Sequence, residues 1–167
     1  MIIFGLDPGT ATTGFGVINY NGDRLTLLDY GCISTSKNLP LSTRLNQISN
    51  DLDELVYHWK PDLIAIEELF FSKNVKTAMQ VAHSRGAIIQ KLSAEGYDVN
   101  EYKPQAIKEA VCGYGRADKQ QVQKMVEIIL QMDHTPRPDD AADALGVAIC
   151  HANHLKIKSL CNASGPF

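Results

Sequence analysis

Acidic residues occur in this sequence where a charge is costly: at the ends of two apolar, strand-like runs and within an alanine-rich, helix-like stretch further on. A buried carboxylate is tolerated when it is paired or binds a cation. Oxygen ligands without His or Cys at matching spacing favour Mg²⁺ or Mn²⁺ over zinc. Two such ions roughly 4 Å apart suit phosphodiester hydrolysis, because one activates water and the other stabilises the leaving oxygen. The candidate ligands are Asp7, Glu67 or Glu68, Asp140 or Asp139, and Asp143.

Each of these acids also has an ordinary structural explanation. Asp7 precedes a turn and can cap it by accepting hydrogen bonds from the amides of residues 9 and 10. Asp139, at a helix start, can act as a cap that favours the helix dipole. Asp143 has i,i+3 spacing to Asp140 and i,i+4 spacing to Asp139, so helical spacing alone does not choose between them. Because clustered carboxylates repel unless cations compensate, the set indicates a metal site more strongly than any single acid.

The apolar periodicity predicts an α/β sandwich around a mixed sheet. Residues 63–66 form a short, unbroken apolar run, which is typical of a strand buried on both faces. If this strand lies beside the first one, Asp7 and Glu67 converge at one edge of the sheet. Alanines at 141, 142 and 144 let the last helix pack close to the sheet. The predicted elements are a hairpin over 2–18, strands 24–34, 63–66 and 98–102, and helices 41–59, 74–94, 104–112, 118–132 and 139–154.

The composition indicates a globular protein with one domain, predicted over 1–155, and a flexible tail over 156–167. No apolar run approaches the roughly 18 residues of a membrane span, and the N-terminus lacks an export signal. The four cysteines have no CxxC or zinc spacing, which favours reduced thiols in the cytoplasm. The net charge of −3 does not itself indicate a nucleic-acid binder, although acids that hold metal can mask a basic surface.

The sequence resembles the RuvC family of Holliday junction resolvases, which have the RNase H-like fold, from residue 1 to about 154. The combination of matching segments is highly specific, although Asp-Pro-Gly alone is not. The segments are Gly5-Leu6-Asp7-Pro8-Gly9, Thr13-Gly14-Phe15-Gly16, Ala65-Ile66-Glu67-Glu68-Leu69-Phe70, Ala82-His83-Ser84-Arg85-Gly86, 108–115, Lys119-Gln120-Gln121-Val122-Gln123 and Asp140-Ala141-Ala142-Asp143-Ala144-Leu145.

The resemblance implies a five-stranded mixed sheet flanked by helices and a metal site made by Asp7, Glu67, Asp140 and Asp143. It also implies two Mg²⁺ ions per site, for which Mn²⁺ can substitute, and hydrolysis that leaves 5′-phosphate and 3′-hydroxyl ends. The implied substrate is a four-way DNA junction, which a homodimer nicks symmetrically during recombination and repair. The RuvA–RuvB branch-migration complex is the further partner that the resemblance implies.

Basic and aromatic residues beside the predicted site are candidate DNA contacts. Of the adjacent pair Phe70 and Phe71, one is expected in the core and the other beside the metals, where it can stack on an unpaired base. The resemblance assigns the base contact to Phe70, and it ranks Lys108 and Lys119 first among the basic residues. Each single cation is also explained as a solvated surface charge, but together they can neutralise phosphates. The candidates are Phe70, Lys73, Lys76, Arg85, Lys108, Arg116 and Lys119.

Two further features have competing explanations. The apolar stripe of helix 74–94 suits either core packing or a dimer surface, and the resemblance favours the dimer. His151 and His154 have i,i+3 spacing, but without Cys or Glu at matching positions they are better explained as helix-end residues that favour the dipole than as zinc ligands. Two rival functions are a sugar-kinase or actin-type ATPase, which needs a second lobe and phosphate loop, and a non-catalytic junction-binding module, which does not need all four acids.

Overall fold

The chain folds into a mixed five-stranded β-sheet with helices packed on both faces of the sheet. The computed structural model describes residues 1–69 and 75–163, with side chains for 1–69 and 78–162. In chain order the elements are β1 (Ile2–Asp7), β2 (Thr12–Tyr20), β3 (Leu25–Ser34), α1 (Leu41–Trp59), β4 (Leu63–Glu67), α2 (Val75–Ala94), β5 (Val99–Tyr102), α3 (Pro104–Cys112), α4 (Lys119–Ile129) and α5 (Asp139–Ala163).

The strand order β3-β2-β1-β4-β5 puts the two strands that end in acids side by side. β1 is antiparallel to β2 and parallel to β4, and β4 is parallel to β5. Parallel neighbours need a long crossover, which α1 and α2 provide. Because β1 and β4 run in the same direction, Asp7 and Glu67 lie at one edge of the sheet, and the predicted convergence is confirmed.

The sheet separates two hydrophobic cores. α1 and α2 cover the face that carries Phe4, whereas α3, α4 and α5 cover the face that carries Ile3 and Ala65. β4 is buried on both faces, as its unbroken apolar run predicted. Side chains alternate along a strand, so Asp7 shares the face of Ile3 and Glu67 shares the face of Ala65. Both acids therefore belong to the face that α5 covers.

The end of α5 differs from the prediction. The sequence predicted that this helix ends near His154 and that a flexible tail begins at residue 156, but α5 continues to Ala163 and crosses the predicted boundary. Neither Pro nor Gly occurs between these positions to end the helix. The side chains of 156–162 are exposed, including those of the apolar Ile157 and Leu160. Residues 164–167 lie outside the described part of the chain.

The remaining elements agree closely with the predictions, except that α4 ends at Ile129 rather than near Met132. The capping box that opens α4 is confirmed: the Gln121 amide donates to Asp118 Oδ1 at 2.9 Å, and the Asp118 amide donates to Gln121 Oε1 at 2.9 Å. The four cysteines are free thiols. Among the helices described in 1–69 and 75–163, none is long and apolar enough to cross a membrane.

Candidate metal centre and nucleic-acid cleft

The position of Asp7 is set by the pairing of β1 with β2. Asp7 is opposite Gly14, and Gly5 is opposite Gly16, so glycines line the surface on which α5 lies. A Cβ at Gly14 would overlap the backbone carbonyl oxygen of Asp140, and one at Gly5 would lie 2.7 Å from the backbone nitrogen of Ala148. The missing side chains therefore let the backbone of α5 come directly against the sheet.

The alanines of α5 complete this close approach from the helix side. Ala141, Ala142 and Ala144 are fully buried, which agrees with the prediction that small residues let the helix approach the sheet. This contact carries Asp140 and Asp143 to Asp7. One carboxylate oxygen from each of these three residues lies within 4.8 Å of the other two.

Glu67 is not among the described residues whose oxygens lie within 4.8 Å of one another, but it borders the same cavity as Asp7, and its charge helps to raise the pKa of Asp7. Glu68 is set apart from the cluster: the Glu68 amide donates to the Tyr102 carbonyl oxygen at 2.8 Å and extends the β4–β5 pairing. The geometry favours Glu67 over Glu68 as the fourth acid of the cluster.

Burial and neighbouring acids raise the pKa values of Asp7, Glu67 and Asp143. Burial is the largest cause at Asp7, followed by the charges of Glu67, Asp143 and Asp140, and it raises the pKa of Asp7 well above the usual value. Burial and then the charge of Asp143 raise the pKa of Glu67 to about 7. Burial also raises the pKa of Asp143, although Lys119 acts in the opposite direction. A cluster of this kind is under electrostatic strain that a divalent cation relieves.

The turn after Asp7 is held by other side chains. Thr13 Oγ1 donates to the Gly9 carbonyl oxygen at 2.7 Å, and Thr10 Oγ1 donates to the Gln80 carbonyl oxygen on α2 at 2.5 Å. Thr35 Oγ1 donates to the Thr10 carbonyl oxygen at 2.6 Å. Hydroxyl groups thus hold the turn, and the position of Asp7 beside Asp140 and Asp143 favours the metal-site explanation of Asp7 over the turn-cap explanation.

Asp139 lies beside the cluster and serves a different set of partners. It is the first residue of α5, where its charge favours the helix dipole. Its carboxylate accepts a hydrogen bond from Gln123 Nε2 at 3.0 Å, and it pairs with Arg137 at 2.7 Å and with Lys119 at 3.5 Å. The same Lys119 ammonium lies 3.1 Å from Asp143. Lys119 thus links Asp139 to the carboxylate cluster.

Sequence reasoning missed the part of Gln123 in this network. Gln123 is 5% exposed and lies on the same helical stripe as the apolar Val122 and Val126, where a polar side chain needs a partner. A glutamine on an otherwise apolar helical stripe, four residues after Lys119, is the sequence signal that could have identified this role of Gln123.

Lys108 and Lys119 border a cleft of about 210 Å³ on one side of the carboxylates, together with Glu67, Asp143, Pro104, Ile107 and Val122. The structure therefore places Lys108 and Lys119, the two lysines ranked first as DNA contacts, on the same cleft as Glu67 and Asp143. Burial lowers the pKa of the Lys119 ammonium, but its contacts with Asp143 and Asp139 outweigh this effect and raise the pKa. Arg116 is exposed in the connection between α3 and α4.

The other predicted DNA contacts divide into two groups. Phe70 and Lys73 lie outside the described residues, and of Lys76 only the helical backbone is described. Arg85 is on α2, where its guanidinium contacts the protein: it pairs with the Glu101 carboxylate and donates to the Glu67 carbonyl oxygen at 3.4 Å.

The two histidines of α5 were predicted to lie at a helix end, and this is wrong because the helix continues beyond them. His151 is buried, and its Nδ1 is 2.7 Å from the Tyr102 hydroxyl. His154 Nδ1 is 2.9 Å from the Cys150 carbonyl oxygen. Burial lowers the pKa of His151, which favours its neutral form, so the dipole argument does not apply.

Known proteins resemble this chain over nearly its whole length. The family model described as Crossover junction endodeoxyribonuclease RuvC matches residues 3–151. A protein of that name from Ruminiclostridium cellulolyticum is 49% identical over 160 residues, which is 96% of each chain. Another from Chloroflexus aurantiacus is 49% identical over 152 residues, 91% of this chain and 93% of the relative.

A solved structure of a RuvC protein also resembles this chain over nearly its whole length. The structure of T. thermophilus RuvC in complex with a Holliday junction substrate aligns with a TM-score of 0.89 and 33% identity, covering 95% of this chain and 96% of the other. The match of the family model to most of the chain and the identity to full-length relatives are decisive. This chain belongs to the RuvC family of crossover junction endodeoxyribonucleases.

Proposed function

We propose that this protein resolves four-way DNA junctions by hydrolysing phosphodiester bonds in the presence of Mg²⁺. The observation that carries the proposal is the cluster of Asp7, Asp140 and Asp143, with Glu67 beside it, next to the cleft that Lys108 and Lys119 border. The T. thermophilus RuvC complex with a Holliday junction supports the choice of substrate. A cluster of acids alone fits many metal proteins, but the adjacent basic cleft adds a site for phosphate.

The donor set fits Mg²⁺ or Mn²⁺, because every candidate ligand offers a carboxylate oxygen. The residues that hold the metal are Asp7, Glu67, Asp140 and Asp143. Two ions, when bound, supply activation of water and stabilisation of the leaving oxygen. Because burial and neighbouring acids raise the pKa values of Asp7 and Glu67, protons compete with the metal for these carboxylates, so metal affinity rises with pH.

The basic side chains bind and orient the DNA. Lys119 neutralises Asp143 and Asp139 in the protein alone, and a phosphate at the cleft offers its ammonium another acceptor. Lys108 borders the same cleft from α3. Arg116, Lys73 and Lys76 are further proposed phosphate contacts, and Phe70 is the proposed base-stacking residue.

The proposed active unit is a homodimer whose two sites nick strands of like polarity and leave 5′-phosphate and 3′-hydroxyl ends. The near two-fold symmetry of a four-way junction asks for two sites related by a dyad. α2 is the proposed interface, and the 50% exposure of Met79 on that helix supports it. Light scattering is expected to give twice the 18.4 kDa chain mass, and Met79→Glu is expected to shift it toward one chain. Cytoplasmic location and a RuvA–RuvB partnership are inferred from the family resemblance.

The test is cleavage of an end-labelled synthetic four-way junction with Mg²⁺. Wild type is compared with Asp7→Asn and Asp143→Asn, which remove one charge each and keep the shape of the side chain. Asp23→Asn is the matched control, because Asp23 is an exposed acid in the β2–β3 turn, at the opposite end of β2 from Gly14. We expect paired symmetric nicks from wild type and the control, and junction binding without nicks from the two site variants.

Two results contradict the proposal in different ways. Junction binding without nicking by wild type, with Mg²⁺ or Mn²⁺, indicates a non-catalytic junction-binding module. Equal binding of a four-way junction and a linear duplex means that the substrate class is wrong, and ATP binding is then the next assay.

A further inference from the structure

α2 contacts the ends of both strands that carry the central acids. On the β1 side, the buried Thr10 donates from Oγ1 to the Gln80 carbonyl oxygen of α2 at 2.5 Å. Val81 of α2 borders a cavity of about 230 Å³ together with Asp7 and Glu67. The helix is therefore placed to influence the position of the carboxylates even though it supplies none of them.

Arg85 makes the corresponding contact on the β4 side. Its Nε donates to the backbone carbonyl oxygen of Glu67 at 3.4 Å, and its Nη2 pairs with the Glu101 carboxylate on β5. The register between β1 and β4 ends with the pair Leu6 and Ile66, so Glu67 lies just beyond that ladder. Arg85 thus supplies a hydrogen bond at the point where the β1–β4 pairing stops.

The surroundings of Arg85 are those of an internal tether rather than a phosphate-binding side chain. Its side chain is only 20% exposed, and Glu101 supplies the charge that compensates it. A phosphate contact needs a guanidinium whose charge is available, whereas this one already has a carboxylate and a carbonyl as acceptors. The planar guanidinium can hold two acceptors in fixed directions, which a Lys ammonium does less well.

We propose that Arg85, with Glu101, is a positioning residue that fixes the end of β4 and thereby the carboxylate of Glu67. The proposal rests on the proposed function insofar as cleavage is one readout. Metal binding is the other, because a displaced Glu67 weakens the site for a cation whether or not DNA is cut. A displacement of about 1 Å at a catalytic group can lower the rate about 100-fold.

The experiment compares wild type with Arg85→Ala, Arg85→Lys, Glu101→Gln and the Arg85→Ala/Glu101→Gln double variant. Single-turnover cleavage, junction Kd and the Mn²⁺ concentration that half-saturates the rise in melting temperature are measured for each. Lys91→Ala is the matched control, since Lys91 is a cation of α2 that pairs with Asp53 and Glu95 away from the site. Circular dichroism checks that each variant folds; if Arg85→Ala does not, Arg85→Lys and Glu101→Gln decide.

We expect Arg85→Ala and Glu101→Gln each to slow cleavage about 10- to 100-fold and to raise the half-saturating Mn²⁺ concentration several-fold, with junction Kd changed less than about two-fold. Arg85→Lys is expected to be intermediate. The double variant should be no slower than Arg85→Ala, because both changes break one unit. Lys91→Ala should behave as wild type.

Three results together overturn the proposal and make Arg85 a DNA contact. They are a loss of junction affinity in Arg85→Ala, a salt dependence of junction binding that falls in that variant by the equivalent of about one neutralised phosphate, and tighter junction binding by Glu101→Gln. Wild-type cleavage and Mn²⁺ response in Arg85→Ala also overturn it. If wild type does not cut junctions, the proposed function fails, and the Mn²⁺ titration alone still decides the role of Arg85.

Discussion

At the scale of single residues, burial and mutual repulsion strain the carboxylate cluster, and a bound divalent cation would relieve this strain. Burial and the neighbouring acids raise the pKa of Asp7 well above its usual value, so the group resists ionisation in the metal-free protein. Functional sites commonly carry such strain at the expense of stability. The strain can be measured by removing one charge.

Asp7→Asn is expected to raise the melting temperature of the metal-free protein by about 2–6 °C, because an amide is neutral without taking up a proton on folding, whereas the buried Asp7 must either take up a proton or carry a charge beside the other acids. The same change should abolish the rise in melting temperature that Mg²⁺ or Mn²⁺ causes in wild type. Thermal melts in EDTA and in excess metal check both expectations. A variant less stable than wild type in EDTA, with an unchanged metal response, contradicts the assignment of Asp7 to the site.

The pH dependence of stability follows from Glu67. Its pKa is raised from 4.5 to about 7, mainly by burial, so the native state binds more protons than the unfolded state between these values. Stability from this group is therefore present below about pH 4.5 and lost as pH rises through about 7. The loss is on the order of 1–3 kcal/mol.

Urea unfolding at pH 5 and pH 8 in EDTA measures this loss. Glu67→Gln cannot titrate, so its stability should fall less than that of wild type over the same interval. Saturating Mg²⁺ should remove most of the difference between the two pH values in wild type, since the metal replaces the protons. Equal pH dependence in wild type and Glu67→Gln contradicts the argument.

At the scale of secondary-structure elements, the site depends on how closely α5 approaches β1 and β2. Gly14 is the tightest point, where a Cβ would overlap the carbonyl oxygen of Asp140. Neither the strand nor the helix backbone can yield locally, so α5 must shift. The strands and the helix that hold the acids are therefore coupled through Gly14, a residue that has no side chain to take part in the reaction.

Gly14→Ala is expected to lower the free energy of unfolding by about 3 kcal/mol, at the upper end of overpacking costs, and to reduce junction cleavage at least 10-fold. Gly86→Ala is the matched control: a Cβ there meets nothing within 4 Å, and alanine favours the exposed helix by up to about 1 kcal/mol. Urea unfolding and the junction assay measure both variants. Wild-type cleavage by Gly14→Ala contradicts the proposed role of the close contact.

Most of the secondary structure of this chain could be predicted from its sequence. The strands and helices followed from apolar periodicity, and the convergence of Asp7 with Glu67 followed from β1 and β4 as parallel neighbours. Periodicity alone could not choose between Asp139 and Asp140, because both are compatible with helical spacing; the resemblance chose Asp140. The predicted end of α5 was wrong because a frayed tail was expected, although Ile157, Leu160 and Cys161 keep helical spacing and neither Pro nor Gly occurs before Ala163.

Contacts that depend on side chains from distant segments were beyond the sequence. The roles of Arg85 and Gln123 depend on acceptors 16 residues or more away in the chain, Glu101 and Asp139. An arginine that is exposed to solvent and one that is paired with a distant acid look the same in the sequence. Only the packing of α2 and α4 against their neighbours distinguishes them.

At the scale of the whole molecule, the net charge of −3 opposes DNA binding, so affinity depends on where the positive charges lie. Much of the negative charge in the described site is set beside cations: Lys119 covers Asp139 and Asp143, and Lys108 borders the same cleft. Divalent metal at the cluster adds further positive charge. The acidic protein can therefore present a local basic surface to DNA.

Junction binding is therefore expected to depend steeply on salt concentration, and this dependence should originate in the cleft. The logarithm of the junction association constant should fall linearly with the logarithm of salt concentration, by about 0.9 for each phosphate neutralised. Lys108→Ala should weaken junction binding several-fold and reduce the slope by about one such step.

Lys156→Ala is the matched control, because Lys156 lies on the C-terminal half of α5, 3.8 Å from Asp23 and away from the cleft. Its junction affinity and its salt slope should both stay at wild-type values. Binding is measured by anisotropy in EDTA with a labelled junction. An unchanged slope in Lys108→Ala, or an equal change in Lys156→Ala, means that the affinity comes from the molecule's overall surface rather than from the cleft beside the carboxylates.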